Sequence, residues 1–143
     1  LMRVESEASE GMDGEDMSSV IRGDGRGRYG VLLMDQVSVD QGSQTGHIEW
    51  RGIRTCNYTY CRKLDGPWVL FDDERDPHQQ ENLVDDPDYK SIREELDRRL
   101  NKQLAEADDT FQPWQEVIRS MNLVQEWNER ERHMHGDEAR LIE

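Results

Sequence analysis

The apolar positions of this chain change their period along its length, and the changes mark out its elements. From Trp50 to Phe71 they fall in short alternating runs, and from Tyr89 onward they step by three or four residues. A period of two places side chains on alternate faces of a strand, whereas a period of 3.6 gathers them on one side of a helix. Val31-Leu-Leu-Met34 predicts a first strand. Glu49 to Thr55 and Tyr58 to Leu64 predict a hairpin rich in Trp, Ile, Tyr and Thr. With Cys56-Asn57 as a two-residue turn, Thr55 faces Tyr58 and Gly52 faces Cys61. Ile53, Thr55, Tyr58 and Tyr60 then share one face, with Trp50, Gly52, Arg54, Thr59 and Cys61 on the other. The Asp65-Gly66-Pro67 turn leads into Trp68-Val-Leu-Phe71. There Trp68 and Leu70 are expected to point one way and Val69 and Phe71 the other. A strand apolar on both faces needs cover on both.

One helix is clearly marked. Asp86 is suited to the N-cap, Pro87 to the first helical position and Asp88 to the positive end of the dipole. Tyr89, Ile92, Leu96, Leu100 and Leu104 form one apolar stripe, and the helix is expected to end near Asp108. Glu94 with Arg98 and Glu95 with Arg99 are candidate i,i+4 pairs. After Phe111-Gln-Pro113, the positions Trp114, Ile118, Met121 and Val124 predict a second, shorter helix reaching Trp127. The stripe from Ile92 lasts too few heptads for a coiled coil and reads as core.

The flanks are less regular. Residues 1–15 are acidic and read as disordered or as a linker. Asp16 to Gly23 reads as a single helical turn with Asp16 or Ser18 as cap and Gly23 as its stop. Residues 35–46 are expected to form a long polar loop, and 129–143 a charged tail. The body is therefore 16–128.

Composition narrows the function classes. Hydrophobic residues are 34% and charged residues 35% of the chain, closer to an accessory segment than to an average enzyme domain. A formal net charge of −14 argues against nucleic-acid backbone or an anionic membrane surface as partner. No apolar run approaches the ~20 residues of a membrane span. Two cysteines are too few for a disulfide framework, and the hairpin register sets Cys56 at the turn and Cys61 beside Gly52, so the two are not expected to bridge.

Candidate chemistry is sparse. Gly25-Arg-Gly27-Arg-Tyr-Gly30 has the G-x-G-x-x-G spacing, but it precedes a strand rather than opening a helix, so a flexible loop is the better reading. His133 and His135, two residues apart, do not share a helix face. Asn57-Tyr58-Thr59 has the form of a glycosylation sequon. His47, Glu49 and Arg51 sit at a loop-to-strand entry, where Arg can meet an anionic substrate with a bidentate fork; ordinary edge and interface charges are the alternative.

Several stretches, taken in order, resemble the C-terminal region of type I sulfatases. Trp68 to Asp72, Asp76-Pro77 and Asn82-Leu83 are similar to the family's Leu-aromatic-Asp, Asp-Pro and Asn-Leu series, with Gln79 where glutamate is common. Glu49 to Thr55 and Tyr58-Thr59-Tyr60 resemble its Arg-Gly-Val-Arg-Thr and Tyr-Lys-Tyr strands, with Thr59 in place of lysine. Gly11-Met12-Asp13 and Asp16 to Gly23 resemble the step that leaves the catalytic domain, with Ser19 where proline is usual, and Phe111-Gln-Pro113 resembles a post-helix segment. The likeness covers roughly residues 11–115. It implies an α+β fold: a small antiparallel sheet of about four strands packed on a long helix, followed by a shorter one.

It also implies a division of labour. Sulfatases hydrolyse sulfate esters or sulfamates with a formylglycine, made from the first residue of Cys/Ser-x-Pro-x-Arg, and with a calcium held by Asp and Asn. Cys56 precedes Asn-Tyr-Thr-Tyr and Cys61 precedes Arg-Lys-Leu-Asp, so neither starts that motif. The resemblance therefore implies a fragment that does not catalyse alone, has the sulfatase catalytic domain as its partner, and lends loops to the substrate rim. Calcium and formylglycine would lie in that other domain. A non-enzymatic protein-interaction module derived from a sulfatase is the alternative.

Overall fold

The computed structural model describes residues 16–25, 27, 29–35 and 49–143. Four strands form one antiparallel sheet in the order β1-β2-β3-β4: β1 Val31–Asp35, β2 Trp50–Arg54, β3 Tyr58–Lys63 and β4 Gly66–Asp72. The register is the one the hairpin turn dictates, with Gly52 opposite Cys61 and Ile53 opposite Tyr60, and the Thr55 N–H donates to Tyr58 O at 2.8 Å. Gly52 is needed for this pairing, since a Cβ there would lie 2.5 Å from Cys61 Sγ and 2.7 Å from Tyr60 O.

Ahead of the sheet, α1 spans Ser18–Ile21. Asp16 Oδ1 accepts the Ser18 N–H at 2.8 Å, and Gly23 leaves the turn at φ +82°. Gly30 leads directly into β1, so the glycine-spaced stretch ends at a strand. The polar stretch after Asp35 lies outside the described residues.

After the sheet, Asp86 caps a 3-10 turn, Pro87–Tyr89, with Oδ1 accepting the Asp88 N–H at 2.9 Å; α2 continues as Lys90–Glu106. Its stripe enters the core, where Leu96, Leu100 and Leu104 are buried against Ile53, Tyr60 and Leu70. Truncating any of these leucines to Ala is worth about 2–5 kcal/mol. Glu95 holds both Arg98 and Arg99, while Glu94 turns back to Lys90 at 3.9 Å. Glu94 therefore makes an i−4 pair rather than the i+4 pair expected from spacing.

The second helical pattern resolves into two helices, α3 Trp114–Ser120 and α4 Val124–His135. Asn122 at φ +57° breaks them apart. Helix α4 continues through the charged stretch after Glu129 because one side of it is covered: Trp127 and Glu131 are buried, and Trp127 lies 4.7 Å from Trp114, centroid to centroid. Asn128 then ties down the chain end by two hydrogen bonds with the Ile142 backbone, at 2.8 and 2.9 Å.

One strand departs from simple alternation. A bulge between Cys61 and Arg62 sets Val69 opposite Cys61 but Pro67 opposite Arg62, leaving Trp68 as the extra residue. Its ring lies 6.0 Å from Trp50 and under Lys63 Nζ at 4.4 Å. Trp68 therefore leaves the Leu70 side and joins the face opposite α2, a correction to the strict two-residue period. That face carries half-buried Leu33, Val69 and Phe71, with Trp68 38% exposed.

Candidate functional site

The Asp-rich turn after β4 is built from backbone accounting. Asp72 Oδ1 accepts the Arg75 N–H at 3.0 Å, and Asp76 Oδ2 accepts those of Gln80 and Glu81 at 2.5 and 2.8 Å. Pro77 needs no such partner because it has no N–H. Asn82 then imitates a fifth strand. Its Oδ1 accepts the Leu70 and Val84 N–H groups at 2.9 and 3.2 Å, and its Nδ2 donates to Trp68 O at 3.1 Å. The Leu83 N–H donates to Leu70 O at 2.8 Å, which delivers Leu83 and Val84 into the core. Each side chain of the Asp72, Asp76 and Asn82 series thus serves the return of the chain from sheet to helix.

In the same turn, Thr59 Oγ1 donates to Asp73 Oδ2 at 2.7 Å, and Gln79 Nε2 reaches Asp73 Oδ1 at 2.7 Å and Thr59 Oγ1 at 3.1 Å, all partly buried. Gln79 holds this position at φ +54°. Asn57, at the hairpin turn, is exposed and donates to Glu74 Oε2 at 2.9 Å.

Of the three rim candidates, His47 lies outside the described residues. Glu49 and Arg51 come together on one segment, 109–114. Arg51 is 2% exposed; its Nε donates to Asp109 Oδ2 at 2.6 Å, and Nη1 donates to Trp50 O and Asp35 O at 3.1 and 3.3 Å. Its guanidinium carbon lies 4.9 Å from the centroid of Phe111. Glu49, also buried, accepts the Trp114 N–H. Burial pushes the Asp109 carboxyl up, but hydrogen bonds from Arg51 and from the Phe111 N–H, together with the Arg51 charge, outweigh it and hold Asp109 below the usual carboxylate range. This clamp fastens the post-helix segment to the start of β2. Arg51 is recognisable in the sequence as a strand-entry residue, but nothing local marks Asp109, 58 residues away, as its partner.

A second polar cluster joins the sheet to α2. Tyr60 Oη donates to Asp97 Oδ1 at 2.9 Å, Arg62 Nη1 to the same oxygen at 3.3 Å, and Asn101 Nδ2 to Oδ2 at 3.0 Å. Burial, then the Asp97 charge, push the Tyr60 phenol up, so it remains a donor.

Cys61 is not poised as a nucleophile. Burial pushes the Cys61 thiol up to about 11, and Cys56 is exposed at the turn; both are free thiols. Among the described residues no three His, Cys, Asp or Glu side chains converge as metal ligands. His133 and His135 fall in the last turn of α4.

No family model matches this chain. It is 36% identical over 116 residues to an ulvan-active sulfatase from Formosa agariphila, an alignment covering 80% of this chain and 22% of that protein. Two solved structures share its fold at a TM-score of 0.56 and 21% identity, each match covering 76% of this chain and 22% of the other. One is a Bacteroides thetaiotaomicron structure assigned as a sulfatase, and the other is a 2-O GAG sulfatase. The chain thus spans about a fifth of the length of the relatives it matches. The ordered strand and turn motifs, the four-stranded sheet with its long helix and the 36% identity converge on the sulfatase family, of which this chain is similar to one segment.

Proposed function

We propose that this segment is the C-terminal subdomain of an enzyme that hydrolyses sulfate esters or sulfamates of carbohydrate, and that it completes the enzyme's fold without supplying the reacting groups. The observation that carries the reading is the 36% identity over 80% of the chain to a sulfatase of which it spans only 22%. A carbohydrate substrate is suggested by the ulvan-active and GAG sulfatases among its relatives.

The reacting groups belong elsewhere on sequence grounds. Pro67, Pro77, Pro87 and Pro113 are the four prolines, and Asp65, Arg75, Asp85 and Phe111 stand two residues before them. None is Cys or Ser, so the formylglycine motif is not among these 143 residues. The remainder of the enzyme would hold formylglycine and calcium, which supply a nucleophilic hydrate and charge stabilisation at the sulfate.

The partner of this segment is then the sulfatase catalytic domain, and its contact is the sheet face opposite α2. Trp68, Val69 and Phe71 there are apolar without being buried, the state expected of a surface that packs on another domain. Its part at the substrate rim is mainly positional. The Glu49 and Arg51 clamp fixes the start of β2, and so the point from which the chain carrying His47 departs.

Split complementation tests the reading. The catalytic domain of such an enzyme and this segment are produced as separate chains, and release of sulfate from a sulfated oligosaccharide is followed. Neither chain alone should match the joined protein, and mixing should restore turnover. Hydrolysis by this segment alone would overturn the proposal.

A further inference from the structure

A cavity of about 430 Å³ opens between β3, the start of β4 and helix α2, and its walls are unusually cationic for so acidic a chain. Arg62, Arg93 and Arg98 line it, against the carboxylates of Asp97 and Glu94. The three arginines are not equivalent. Arg98 is bridged to Glu95 and mostly exposed, and Arg62 donates to Asp97. Arg93 donates to a neutral acceptor, the Val84 carbonyl, and forms no ion pair within 4 Å among the described residues. The carboxylates are already engaged. Asp97 accepts from Tyr60, Arg62 and Asn101, and Glu94 faces Lys90 at 3.9 Å out in solvent. The lining thus carries three arginines and two carboxylates in a chain of net −14.

A second observation points to a ligand. Arg62 Nε is buried with no acceptor, although the same side chain uses Nη1 and rests 5.6 Å from the Phe111 centroid. A buried N–H left without a partner is normally met by water or an ion. Guanidinium forks match the paired oxygens of a carboxylate, sulfate or phosphate. The volume falls within the ~300–1,000 Å³ of small-molecule sites.

We propose that this cavity binds a small oxyanion, a sulfate or carboxylate group, with Arg93 as its principal donor and Arg62 and Arg98 beside it. The site lies on the α2 side of the sheet, away from the Trp68 face, and it does not depend on the proposed activity.

Arginine Nε–Hε correlation spectra of the intact protein test this. Sodium sulfate, methyl sulfate and glucuronate are titrated separately against sodium chloride at constant ionic strength. Saturable shifts of Arg93 and Arg62 are expected, with a midpoint of about 1 mM for a single small oxyanion. Arg93→Gln should weaken binding about tenfold and Arg98→Gln about twofold, because the fork at Arg93 lacks a competing carboxylate. If loss of the Val84 contact prevents Arg93→Gln from folding, Arg93→Lys with Arg98→Gln decides the matter, and unchanged midpoints in both variants overturn the proposal. Saturation by methyl sulfate but not glucuronate identifies the ligand group as sulfate, and the reverse as carboxylate. Shifts that grow linearly and equally with chloride overturn it. So does a cavity that takes no small anion because an acidic side chain from elsewhere in the intact protein already fills it.

Discussion

Replacing Arg51 by Met tests the clamp that holds the post-helix segment on the sheet. Met keeps most of the unbranched stem and its packing on Phe111, so the change isolates the guanidinium. Three losses follow: the two bonds to Asp109, the donations to Trp50 O and Asp35 O, and the cation over the Phe111 ring. Breaking one side of a buried pair costs about 3–5 kcal/mol because the other charge is left behind. Asp109 keeps the Phe111 N–H at 2.7 Å and is 17% exposed, which places the expected cost at the lower end, about 3 kcal/mol. That is a large share of the ~5–15 kcal/mol available to a domain. Asp109→Asn should cost about 2 kcal/mol, since Arg51 then sits buried opposite a neutral amide. The double variant should fall short of the sum by about 1–3 kcal/mol, the coupling expected of groups in direct contact. Urea denaturation followed by tryptophan fluorescence measures all three, with Trp114 reporting locally because its backbone N–H is held by Glu49. A loss below about 0.5 kcal/mol for Arg51→Met, or strict additivity in the double variant, would refute the clamp.

Three further outcomes follow from the same geometry. Asn82→Ala removes two accepted N–H groups and one donated bond at the β4 edge and should cost about 2 kcal/mol, read as a lowered urea midpoint at constant slope. Asp109 is held below its ordinary range when folded, so its contribution is fully present above its unfolded pKa of about 4 and is lost as pH falls through the folded value. Acid titration of stability should therefore be shallower in Asp109→Asn than in the native chain below about pH 4. Cys56 should react with a thiol reagent at once at pH 8, whereas Cys61, buried and raised to about 11, should react only on unfolding. Two equally fast thiols would contradict the hairpin's packing.

The elements that were legible in the sequence were those governed by local rules. The hairpin register followed from a two-residue turn, and the Leu96, Leu100 and Leu104 stripe from helical spacing. Asp86 and Pro87 announced the entry to α2. What escaped the sequence depends on distant or irregular contacts. The bulge that turns Trp68 toward Trp50 carries no composition signal, because its neighbours still alternate. Asp109 as the partner of Arg51 needs the fold to bring together groups 58 residues apart. The end of helix α4, after Glu129, reads from the sequence as a charged tail because the helix's cover comes from Trp114 and Ile142 on other segments. The resemblance supplied the family, while the structure shows what the Asp72, Asp76 and Asn82 motif does physically: it seats the chain against β4 and starts the helix.

The claim that matters most is that the sheet face opposite α2 is made to be covered by the rest of a sulfatase. Carbene footprinting at Trp68, Val69 and Phe71 measures it directly, comparing this chain alone with the same chain joined to a sulfatase catalytic domain. Strong labelling in the isolated chain and protection in the joined protein are predicted. Equal labelling of the three residues in both would contradict the account.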